Sequence, residues 1–172
     1  MCRCYNIKHS KVVVFPGLSL PDFDLEVKPL VRAPAIEIGS DGQLQLSMIP
    51  FGSRSYDKLL LNARSETVLD KPSFHDAFLN HKAVFPCTSF LEMDSKGIET
   101  EFKADDELFF LLGFYRQDGF ILLTDKGKSS WRRMPCLVRK GGIIPYLTSS
   151  EDYREFLLDP NPIDKMEQLS LF

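Results

Sequence analysis

Apolar and polar residues alternate, or apolar runs stand between turn residues, over 11–15, 33–38, 43–49, 83–90, 99–102, 108–115, 119–124 and 134–139. A period of two over such lengths predicts β-strands. The breaks are explicit: Ser40-Asp41-Gly42, Ser95-Lys96-Gly97 and Gln117-Asp118-Gly119 are turn sequences. Strands following one another through short turns predict a largely antiparallel sheet system. Helical patterning is confined to 72–81, with Pro72 in its first turn and Ser73/Asp76 at capping-box spacing, and to about 150–158, introduced by Ser149/Asp152 at the same spacing. Asp159-Pro160-Asn161-Pro162 stops the second helix. The expected organisation is one α+β domain over 1–160 and a short tail over 161–172, with no repeat and no Gly/Ser-rich linker.

Composition agrees with one globular unit. The 172 residues are 44% hydrophobic and 12% aromatic, including 14 Phe, which excludes disorder and low complexity. The longest nearly unbroken apolar stretch, 108–115, is too short to span a bilayer, and the start MCRCYNIKHS lacks the apolar centre of a secretion signal. A cytoplasmic protein with no membrane partner is expected. Net charge is −3, so no global field attracts nucleic acid. The distribution is uneven: 126–140 holds six basic residues and no acid, whereas 92–107 holds seven acids against two lysines. The basic stretch is either a solvated loop or a local track for a phosphate backbone.

The four cysteines, Cys2, Cys4, Cys87 and Cys136, have no metal-ligand spacing with one another or with the three histidines, so neither a metal nor a cofactor is expected. Cys87 and Cys136 sit in apolar surroundings that suggest small buried side chains. Cys2 is different because of its position. Removal of Met1 would leave a chain-terminal cysteine with an α-amine titrating near 7.7–8.0 and a thiol near 8.5. Such an aminothiol condenses with aldehydes: the amine forms an imine and the sulfur closes a thiazolidine ring. The terminal amine could instead serve as a base for a hydrolytic nucleophile.

Three stretches beside this N-terminus resemble the SOS-response-associated peptidase (SRAP) family. Asn62-Ala63-Arg64-Ser65-Glu66-Thr67 with Lys71-Pro72-Ser73-Phe74 is similar to the family's NARxET and KPSF signature; Pro86 and Glu92 fall in register with its CLVPADGFYEW segment; Arg133-Met134-Pro135 matches the end of its HxRMP motif. The resemblance implies a twisted, mostly antiparallel, barrel-like β-system with a few short helices and a positively lined cleft for single-stranded DNA, with Cys2 at its base. It implies that mature Cys2 couples covalently to the aldehyde of an abasic site, shielding it. Asn62 would orient the terminal amine, and Glu92 would move protons as a partly buried carboxylate. Arg64, Arg132, Arg133 and Arg3 would bind the strand, Met93 would give an apolar contact and Trp131 a stacking surface. The resemblance also implies that the same residues process Met1, the activity behind the name peptidase, and that a lyase step proceeds from the same imine.

Departures are visible. Trp131 stands where the family has the histidine that assists Schiff-base chemistry, strand cleavage and crosslink reversal, and Met93 stands where it has an aromatic residue. Condensation at Cys2 needs only an aminothiol, an orienting amide and a proton carrier. Each residue also has a purely structural reading: Asn62 closing a turn, Glu92 pairing with Arg64 or Lys82, Arg132 and Arg133 solvated. The alternative is a non-catalytic single-stranded DNA or clamp-associated module. The tail Gln168-Leu169-Ser170-Leu171-Phe172 resembles the pentapeptide by which bacterial repair proteins dock on the sliding clamp. In that resemblance Gln168 hydrogen-bonds one subsite and Leu169, Leu171 and Phe172 fill an apolar pocket. A monomer is expected, associated with the nucleoid if the source is bacterial.

Overall fold

The computed structural model describes residues 2–126, 133–149 and 152–163. In chain order the strands are β1 (Cys4–His9), β2 (Val12–Phe15), β3 (Leu18–Leu20), β4 (Phe23–Val27), β5 (Arg32–Ile38), β6 (Leu44–Pro50), β7 (Ser53–Ser55), β8 (Lys58–Leu60) and β9 (Asn62–Arg64). After helix α1 (Pro72–Asn80) come β10 (Lys82–Cys87), β11 (Ser89–Met93), β12 (Glu99–Lys103), β13 (Phe109–Arg116), β14 (Gly119–Asp125), β15 (Met134–Pro135) and β16 (Leu137–Val138). Helix α2 (Ile143–Thr148) and β17 (Asn161–Pro162) follow.

The strands form an eight-stranded sheet, β15-β14-β13-β10-β5-β6 with β16 on β13 and β9 on β14, and a five-stranded sheet, β17-β12-β11-β1-β4. Pairing is antiparallel throughout the named strands except for β9 along β14. The architecture is α+β and sheet-rich, as the sequence predicts, but the strand orders do not close into a barrel among the described residues.

The central strands of the large sheet are buried on both faces, which is why they read as apolar runs rather than as alternation. On β10, β13 and β14, Phe85, Phe109, Leu111, Phe120 and Leu122 pack with Tyr5, Phe51 and Phe90 from β1, the β6–β7 connection and β11. Their neighbours Val84, Phe110, Leu112, Phe114 and Ile121 pack on the other face with Phe74, Phe78 and Tyr146 from α1 and α2. Phe85 and Phe120 stack with centroids 3.8 Å apart, and Phe78 meets Phe114 edge-on at 5.9 Å.

The single strand expected over 83–90 is two, because the chain changes sheets at Thr88. Its amide donates to Asn6 O at 2.8 Å, and its hydroxyl accepts from Lys8 N at 3.1 Å. Backbone groups that would have continued the β10 ladder are satisfied by β1 instead.

The helices correct two expectations. α1 begins at Pro72 with Lys71 as N-cap and no side-chain cap, so Ser73 lies inside the helix and does not head a capping box; proline at the first position supplies the start. The second expected helix is a short 3₁₀ turn, Asp152–Phe156. Ser149, expected to introduce it, is the extended residue that ends α2, a helix whose Gly-Gly-Ile-Ile-Pro start has no polar N-cap to announce it. Residues 161–163 are still held by the sheet, through β17 on β12 and Ile163 N donating to Glu101 O at 2.8 Å. No helix among the described residues is long and apolar enough to cross a membrane.

Candidate functional site

Cys2, Asn62 and Glu92 come together from three elements. Cys2 precedes β1, Asn62 opens β9 and Glu92 lies on β11, which pairs with β1 through Cys4↔Leu91. Asn62 Nδ2 donates to the Cys2 carbonyl at 2.9 Å. The other end of that amide, Oδ1, is buried without a hydrogen-bond partner among the described residues. Asn62 holds its place because β9 lies along β14 (Leu122↔Asn62) and Leu122 N donates to Leu61 O at 2.9 Å.

Glu92 is 2% exposed, and burial raises its carboxyl above the usual range against the opposing charge of the chain's amino terminus. The proximity of Glu92 also appears at Cys2, whose thiol is raised first by burial and next by the Glu92 charge. Cys2 is 0% exposed within the core formed by Tyr5, Phe51, Cys87 and Met134, and its Sγ faces Cys4 O at 3.6 Å. This corrects the expectation of a cysteine standing open at the base of a cleft: in the folded chain the sulfur is enclosed by apolar side chains. Two neighbours were not anticipated. Tyr5 is fully buried with a hydroxyl that has no hydrogen-bond partner among the described residues, and Cys87 is buried with its thiol raised. The inward alternation of β1 (Tyr5 and Ile7 buried) is the signal that could have located Tyr5.

The residues expected to meet DNA fall into three groups. Arg3, Arg64 and Met93 are exposed. Arg133 is not: its side chain is 12% exposed and its guanidinium forks onto Glu66, Nη1 to Oε1 at 3.1 Å and Nη2 to Oε2 at 2.7 Å. Two further donations reach Thr124, Nε to Oγ1 at 3.0 Å and Nη2 to the carbonyl at 2.7 Å. That pairing lowers the Glu66 carboxyl to about 2. Trp131, Arg132 and the tail residues Gln168, Leu169, Leu171 and Phe172 lie outside the described residues. In the rest of the basic stretch, Arg139 pairs with Asp106 at 2.8 Å and Lys140 sits over the Phe15 ring at 5.3 Å, while Lys126 is exposed. Much of its described charge is therefore engaged within the protein.

A cavity of about 390 Å³ adjoins this end of β14, bounded by Lys126, Met134, Pro135 and Arg154. Among the described residues no cluster of His, Cys, Asp or Glu could hold a metal ion.

The family model described as SOS response associated peptidase (SRAP) matches residues 27–170. The matched span holds Asn62, Arg64, Glu92 and Arg133 and begins after Cys2. Among solved structures, a phage-related protein of Bordetella bronchiseptica is 14% identical with a TM-score of 0.72, covering 95% of each chain. A second protein of that organism is 16% identical with a TM-score of 0.65, covering 95% of this chain and 100% of its own. A protein of Bacteroides thetaiotaomicron is 23% identical with a TM-score of 0.59, covering 81% of this chain and 78% of its own. At these identities the likeness speaks for the fold. No curated protein matches.

Proposed function

The chain belongs to the SOS response associated peptidase (SRAP) family, and on that premise we propose that it captures abasic sites in single-stranded DNA through Cys2 after removal of Met1. The observation that carries this reading is the meeting of an orienting amide and a buried carboxyl at the second residue: Asn62 Nδ2 on the Cys2 carbonyl at 2.9 Å, with Glu92 beside it. Burying an amide and a carboxyl next to a near-terminal cysteine costs stability that a purely apolar arrangement would not.

The chemistry balances without an oxidant. The Cys2 amine adds to the aldehyde carbon and the carbinolamine loses water to give an imine. The sulfur then bonds to the imine carbon, and the thiol proton ends on the ring nitrogen. Glu92, whose carboxyl burial raises above its usual range, delivers a proton to the departing hydroxyl and recovers one as the ring closes. Asn62 fixes the backbone of Cys2 so that amine and thiol approach one carbon. Removing Met1 turns the Cys2 nitrogen from an amide into a nucleophilic amine, and capture of an aldehyde further requires the apolar side chains around Cys2 to admit it. The same Glu92 and Asn62 would serve Met1 removal. Exposed Arg3 and Arg64 hold the strand electrostatically, with Arg132 and Trp131 as further contacts from the basic stretch. The tail sequence Gln168–Phe172 would recruit the protein to a bacterial sliding clamp.

The test is denaturing electrophoresis and intact mass after incubation with an abasic oligonucleotide. A band retained by the wild type and lost in Cys2→Ala, with the mass of the chain lacking Met1 plus the DNA less one water, supports the reading. A chain lacking Met1 that leaves no covalent band overturns it. Salt-sensitive noncovalent binding that survives Cys2→Ala would favour the non-catalytic module instead.

A further inference from the structure

We propose that Arg133, with Glu66 and Thr124, is a positioning device that holds Asn62 in register beneath Cys2, and not a ligand of the DNA phosphates. The inference rests on the abasic-site reading for its kinetic consequence, but its structural content stands separately.

β9 is three residues long and parallel to its neighbour, so no hairpin turn fixes its register. Beyond the short ladder from Leu122↔Asn62 to Thr124↔Arg64, three further bonds tie this segment to β14: Leu122 N to Leu61 O at 2.9 Å, Ser65 N to Thr124 O at 2.9 Å and the Thr124 hydroxyl to Ala63 O at 3.3 Å. Two of these three run through Thr124, and Arg133 binds both oxygens of Thr124 while its fork closes on Glu66, two residues beyond the end of β9. One guanidinium thereby ties the chain just past β9 to the strand beside it. Its five N–H donors have four bonds to protein acceptors, which leaves little capacity for phosphate oxygens. Lysine could supply the charge but not the fork. The Glu66 carboxylate, bound through both oxygens, also offsets the charge that Arg133 would otherwise offer to a phosphate.

The experiment compares Glu66→Gln, Arg133→Lys, Arg133→Gln and the double variant Glu66→Gln/Arg133→Gln. Crosslinking rate to abasic single-stranded DNA is measured alongside noncovalent affinity for undamaged single-stranded DNA between 50 and 200 mM salt. Positioning predicts that Glu66→Gln and Arg133→Lys each slow crosslinking by about tenfold or more, while the affinity changes by less than about twofold and the salt slope is preserved. The double variant should be no slower than Arg133→Gln alone, since both remove one device. A phosphate ligand predicts the reverse: Arg133→Gln lowers the salt slope by about 0.7, and Glu66→Gln, which removes a negative charge, tightens binding and leaves or raises the rate. That pattern overturns the proposal. Glu66 is part-exposed, so Glu66→Gln keeps the test available if Arg133→Gln does not fold. Hydrogen exchange at the Ser65 amide and the Asn62 side-chain NMR signal give a readout without DNA. In Glu66→Gln both should change while amides of β1 and β11 stay protected; unchanged Ser65 and Asn62 signals refute the device even if the wild type proves unable to crosslink. Absence of crosslinking by the wild type with changed signals refutes only the abasic-site reading.

Discussion

Glu92→Gln separates the cost of the carboxyl from its use. Glu92 is 2% exposed, and burial raises its folded value above the ordinary 4.5. A carboxyl raised in this way binds a proton more readily in the folded chain than in the unfolded one. Its penalty is absent below about pH 4.5, grows as pH rises towards the folded value, and is constant above it; each unit of displacement is about 1.4 kcal/mol. Glutamine has nearly the same shape, can still accept from the Met93 amide, and carries no charge to desolvate. The variant should therefore match the wild type in acid and melt higher at pH 8, by about 2–4 °C for each kcal/mol relieved. The kinetic effect has the opposite sign. An amide cannot relay a proton, and general acid–base catalysis is worth about 10²–10⁴ in rate, or about 3–5 kcal/mol of barrier. Thermal melts at pH 5 and pH 8 combined with timed denaturing gels read both. A Glu92→Gln protein that is less stable at pH 8 and crosslinks at the wild-type rate refutes the argument, because Glu92 would then be a stabilising structural residue.

Gly119→Ala should unfold readily, since a Cβ there would collide with the backbone oxygen of Gly52 and crowd that of Pro50; a loss of about 2–4 kcal/mol is expected by urea denaturation. Lys82 lies over the Phe78 and Tyr146 rings at 5.0 and 5.5 Å, donates to Ser149 O at 2.6 Å, and is lowered by burial to about 8. The unfolded chain thus holds its proton to higher pH, so stability should rise between about pH 8 and 10.5, and Lys82→Met should abolish that rise in pH-dependent melts. Glu66, lowered to about 2 by Arg133 but part-exposed, contributes stability above pH 4.5 that is lost as pH falls towards 2. After allowance for solvent screening, Glu66→Gln should cost about 1 kcal/mol at pH 7 and only a small fraction of that at pH 2, measured the same way.

The strands of the large sheet were legible because burial on both faces leaves an apolar run bounded by turns, as at 108–115 and 119–124. The edge pieces β3, β7, β8 and β9 were not, since three residues give a period-two pattern too little length to register. The break at Thr88 was invisible for another reason: 83–90 is apolar on either side of it, and only the hydrogen bonds to β1 make the chain change sheets. Helix α2 has no polar cap, so neighbouring Ser149 and Asp152 attracted a prediction that belonged earlier in the chain.

Of the candidate site, the sequence by itself determined the parts and their chemistry: a second-position cysteine, an NARSET stretch, a glutamate at 92 and an arginine before Met134-Pro135. Those follow from residue type and order along the chain. Only the tertiary structure decided who touches whom. Contact between Asn62 and Cys2 depends on a parallel strand register sixty residues away from the cysteine, which no local pattern encodes. The same holds for Arg133, whose charge the sequence displays but whose partner, Glu66, is set by where β9 ends against β14. Enclosure of Cys2 was likewise beyond the sequence, because burial is a property of the side chains that converge on a residue and not of its neighbours in the chain.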